Sequence, residues 1–64
     1  MSEREEKFEK MLRAIQEEYS DTAGRLEKLK AEGKTKTVTY RQLFAAKLTL
    51  QNILERYRIY GLLD

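Results

Sequence analysis

The 64-residue chain contains no cysteine and no histidine. Disulfide cross-links are therefore excluded, and so is any metal site built on thiolate or imidazole ligands. A chain this short is near the limit for folding alone and usually relies on disulfides, metal or oligomerisation. Of these aids, oligomerisation remains. No apolar run approaches the ~20 residues needed to span a bilayer, so no membrane partner is expected. Ser2 to Lys10 is charged throughout and does not read as a signal peptide, so the expected location is cytoplasmic. The length allows a single domain, residues 1–64.

Charge is unevenly distributed. Residues 1–32 hold seven Lys/Arg and nine Asp/Glu, a net −2, and residues 33–64 hold six and two, a net +4. Two halves of opposite sign suit two arms packed side by side.

The stretch from Val38 to Leu63 carries most of the apolar mass. Thr39 followed by Gln42 has the spacing of a capping box, with Val38 and Leu43 placed as a hydrophobic staple. The second helix is therefore predicted to start at Thr39. Gly61 suits its left-handed end, with Leu62 folded back on Tyr57 in a Schellman arrangement. Arg56 and Arg58 favour the negative end of the helix dipole. The main stripe reads Leu43, Ala46, Leu50, Ile53, Tyr57, Tyr60, in steps of three and four. Phe44, Leu48, Leu54 and Ile59 lie off that stripe or at its edge, and one partner helix cannot cover them all.

The first helix starts with Ser2 and Glu5 at capping-box spacing. Glu, Lys, Arg, Leu and Ala then dominate, all good helix formers. Its stripe is Phe8, Leu12, Ile15, Tyr19, Thr22, Leu26, Leu29, again in steps of four and three. Gly24 interrupts the helix formers, but the rhythm passes through it without a change of phase, which predicts one continuous helix. Gly24 is also a place where a neighbour could approach closely. Gly33 is the expected stop, and the short polar segment after it predicts antiparallel neighbours.

The expected fold is therefore all-α: an antiparallel two-helix hairpin of about residues 2–32 and 39–60. The two stripes mesh when facing residues have numbers that sum to 72, which pairs Leu29 with Leu43, Thr22 with Leu50, Tyr19 with Ile53 and Ile15 with Tyr57. Phe8 then meets Leu62 or Leu63. The surplus apolar set, Phe44, Leu48, Leu54 and Ile59, is the expected oligomer interface. It would join two hairpins into a homodimeric four-helix bundle with the second helices central.

Chemistry-bearing patterns are few. Gly33-Lys34-Thr35 echoes the end of a phosphate-binding loop but lacks the earlier glycine and the preceding strand. Carboxylates are plentiful but not placed inward, and no general acid–base pair stands out. No catalytic, metal or cofactor residues are assigned, and no enzymatic activity is expected. Lys34, Lys36, Arg41, Lys47, Arg56 and Arg58, interleaved with tyrosines, form a candidate contact for phosphates or nucleic acid. Against that reading, Tyr57 and Tyr60 fall on the core stripe, and net +2 is low for a nucleic-acid binder. The general form, a very small acidic-then-basic helical hairpin, resembles the small bacterial phosphatases that act on sporulation response regulators. Those carry Ser-Gln-x-Leu-Asp on the second helix. Leu48-Thr49-Leu50-Gln51-Asn52-Ile53-Leu54 has neither the Ser-Gln pair nor the Asp, so the likeness implies no phosphatase activity here. The expected role is a non-enzymatic protein-interaction module that binds itself and another protein. Nucleic-acid binding or regulation by the basic half is the alternative.

Overall fold

The structure, a computed structural model, describes residues 2–63. Two helices, α1 (Glu3–Ala31) and α2 (Val38–Ile59), pack against each other as a hairpin. The molecule is a rod, 47 × 20 × 18 Å. Among the described residues, no helix is long and apolar enough to cross a membrane.

Local chemistry sets three of the four helix ends as the sequence predicts. The Ser2 hydroxyl oxygen accepts from the Glu5 amide at 3.2 Å, which satisfies one of the orphan donors of the first turn. At the far end of α1, Gly33 adopts φ 73°. The Lys34 amide then reaches the Leu29 carbonyl at 2.8 Å and the Gly33 amide reaches Lys30 at 3.0 Å, the two bonds of a Schellman motif. The same pair closes α2: Leu62 to Tyr57 at 2.9 Å and Gly61 to Arg58 at 3.0 Å, with Gly61 at φ 76°. α1 runs unbroken through Gly24. A Cβ built at Gly24 would meet nothing within 4 Å, so the glycine serves no close approach.

The start of α2 differs from the sequence expectation. The N-cap is Thr37, not Thr39. The Thr37 hydroxyl accepts from the Tyr40 amide at 3.2 Å and donates to the Lys34 carbonyl at 2.9 Å. One side chain thus closes the turn and opens the helix. Thr39 lies inside the first turn, and Val38, the first helical residue, is exposed rather than stapled to Leu43.

On α1, every residue of the expected stripe is buried or half-buried, with Ile15 and Leu26 the most enclosed. On α2 the face is rotated from the expected one. Its half-buried residues are Tyr40, Leu43, Lys47, Leu50, Ile53, Leu54 and Tyr57, while Ala46 is exposed and Tyr60 is 77% exposed. Leu43, Leu50, Ile53 and Tyr57 belong to both descriptions. Residues 46 and 47 flank Leu43 on its two sides, as 53 and 54 flank Leu50. The stem of Lys47 covers the seam where the single methyl of Ala46 does not reach, and its ammonium lies 6.0 Å from the centroid of the Tyr19 ring. A straight helix lags a seven-residue repeat by about 20° per heptad. That drift carries Tyr60, the last member of the expected stripe, off the seam.

Near the bend, Leu29 and Leu43 line one groove, and Thr22 and Leu50 line another. Phe8 and Leu62 share a groove at the open end, as expected. Tyr57 sets its ring edge-on to Phe8 at 5.4 Å. The Tyr19 ring lies 6.0 Å from the Lys47 ammonium.

Candidate functional site

The fold leaves one flank of α2 without a partner. Tyr40, Phe44 and Leu48 recur every fourth residue and so lie almost in line along the helix. The rings of Tyr40 and Phe44 stack at 6.4 Å. Together with Thr35, Arg41 and Ala45 they line a shallow groove of about 330 Å³. Phe44 and Leu48 are 46% and 47% exposed, and Ile59, further along the same flank, is 68% exposed. Of the four expected interface residues, these three lie open. Leu54 does not. It is half-buried, one residue along from Ile53, on the side of α2 that faces α1.

A second apolar groove lies on the opposite flank at the open end. Ile53, Arg56, Tyr57, Tyr60 and Leu62 line it, with a volume of about 260 Å³. Reading Tyr60 as a core residue concealed this groove.

The six candidate anion-binding cations do not converge. Lys34 pairs with Glu32 at 3.1 Å beside the bend. Lys47 lies against Tyr19 in the seam. Arg58 donates from Nε to Glu55 at 3.0 Å, and its Nη2 pairs with the other carboxylate oxygen. That hydrogen bond, with the cation's charge, holds the Glu55 carboxyl below its ordinary pKa and raises that of Arg58. Arg41 and Arg56 border the two apolar grooves, and Lys36 is exposed in the loop. From Lys36 to Arg56 the cations span roughly 30 Å at 1.5 Å per residue. Tyr57, the central aromatic of the candidate strip, is occupied by Phe8.

Among the described residues, no group of three or more carboxylates could hold a metal ion. No protein-family model, curated protein or solved structure matches the chain.

Proposed function

We propose that this protein is a non-enzymatic interaction module that works as a homodimer, two hairpins forming a four-helix bundle with the α2 helices central. The observation that carries the reading is the exposed apolar set Phe44, Leu48 and Ile59 on a helix already packed on its other side. Surface area supports it. A folded monomer of 7.6 kDa scales to about 4,300 Å² of accessible surface, whereas this chain exposes 5,479 Å². The excess exceeds the ~800 Å² that each partner gives to a standard interface. A second copy supplies a surface of matching size and character. The groove at the open end then stays free for a larger protein partner.

Sedimentation equilibrium at micromolar concentration tests the reading, with a dimer mass expected. Replacing both Phe44 and Leu48 by Glu removes the apolar line and buries charge in its place, and should weaken association by about two orders of magnitude. A chain that stays monomeric at millimolar concentration while fully helical would sink the proposal. Nucleic-acid binding by the basic half is the weaker reading, because its cations are spread along the rod and partly neutralised. Salt-sensitive retention on heparin by the folded protein would favour it.

A further inference from the structure

The homodimer leaves open how the two α2 helices run. An antiparallel pair and a parallel pair both place the Tyr40–Leu48 line against its copy, but they differ in the charges they bring together. Arg41 stands at the edge of the groove that Phe44 and Leu48 line. Glu55 lies two turns beyond Leu48 on the same flank, exposed and ionised, with Arg58 holding its carboxyl below the usual range. The residues between Leu48 and Glu55 on that flank are Gln51 and Asn52, both exposed and uncharged.

We infer that the two copies of α2 lie antiparallel about a two-fold axis between Phe44 and Leu48. This rests on the homodimer proposed above. Phe44 of one copy then packs on Leu48 of the other, twice, because a two-fold contact is self-complementary. Arg41 comes beside the partner's Gln51 and within side-chain reach of the partner's Glu55, also twice. A parallel pair would instead set Arg41 against its own copy, a like-charge contact, and leave it more than three turns from either Glu55. It would also align the two helix dipoles, where the antiparallel pair opposes them.

The absence of cysteine makes the test clean, since any introduced thiol is unique. Arg41→Cys and Gln51→Cys are prepared separately, each shown to be helical and dimeric, and then oxidised alone and as a mixture. The antiparallel pair yields a covalent dimer in the mixture and little with either variant alone. Self-cross-linking of either variant alone, or no cross-link in the mixture, overturns the inference. A charge swap gives an independent reading. Arg41→Glu should weaken the dimer roughly three- to tenfold, and adding Glu55→Arg should restore it. If Arg41→Glu leaves affinity unchanged, the arrangement is wrong. Monomeric wild-type protein in sedimentation would instead remove the dimer itself, so the two failures are told apart.

Discussion

At Gly24 the backbone is an ordinary helix, and an added methyl group would meet nothing within 4 Å. Alanine there keeps the fold and reduces the freedom of the unfolded chain. Gly24→Ala should therefore stabilise the protein by about 0.5–1 kcal/mol, measured by urea unfolding. Gly33 is the same residue type under the opposite constraint, at φ 73°. A side chain at that angle clashes with its own backbone, so Gly33→Ala should cost about 1 kcal/mol in the same measurement. The sequence distinguishes the two sites only in part. Gly33 follows the last periodic residue and precedes a polar loop, which marks a helix end. Gly24 sits inside an unbroken rhythm, so the letters place it in a helix but do not show whether a neighbour lies against it. Only the arrangement of the two helices decides that, and it leaves the space empty.

The helices themselves were legible because their signals are local. Ser2 and Glu5, Gly33, Gly61 and the four-three spacing of α1 each act within one or two turns. The start of α2 was less legible. Thr37 and Thr39 are both threonines three residues before a potential N3 position, and Thr39 has the better capping-box partner in Gln42. Thr37 is the cap because its hydroxyl also donates to the Lys34 carbonyl, a bond that depends on how the loop closes. Thr37→Ala should lower stability by about 1 kcal/mol, while Thr39→Ala, inside the first turn, should change it little. Urea unfolding of the two variants side by side checks the assignment, and equal losses would count against it. The rotation of α2 has a similar origin. Its stripe could include Ala46 or Lys47, which straddle the shared residues Leu43 and Leu50, while Ile53 and Leu54 are both half-buried. A hydrophobicity reading chooses Ala46 over Lys47. The structure chooses the longer side chain, whose methylenes cover the seam and whose ammonium reaches the Tyr19 ring. Leu54 consequently turns toward α1 and leaves the surplus set, while Phe44, Leu48 and Ile59 remain in it.

Taken whole, the molecule encloses little. Among the described residues only Ile15 and Leu26 count as buried, and neither is sealed completely. The radius of gyration is 14.4 Å, against about 10.7 Å for a compact domain of this length. A rod one helix pair thick has surface on nearly every side, and its apolar contacts are shared between two helices instead of surrounding a centre. In the homodimer proposed above, association would add burial on the one flank that packing within the hairpin leaves open. The coupling has a measurable consequence. If dimerisation and folding are linked, the midpoint of thermal unfolding rises with protein concentration, since mass action favours the associated state. A hundredfold increase in concentration supplies about 2.7 kcal/mol per dimer. With an unfolding entropy of about 2.1 cal/mol/K per residue over two chains, the expected rise is on the order of 10 °C. Circular dichroism melts from micromolar to hundreds of micromolar measure it directly. The variant with Glu at both Phe44 and Leu48 should melt lower and at a temperature independent of concentration, because it retains the hairpin's own contacts and loses the shared ones.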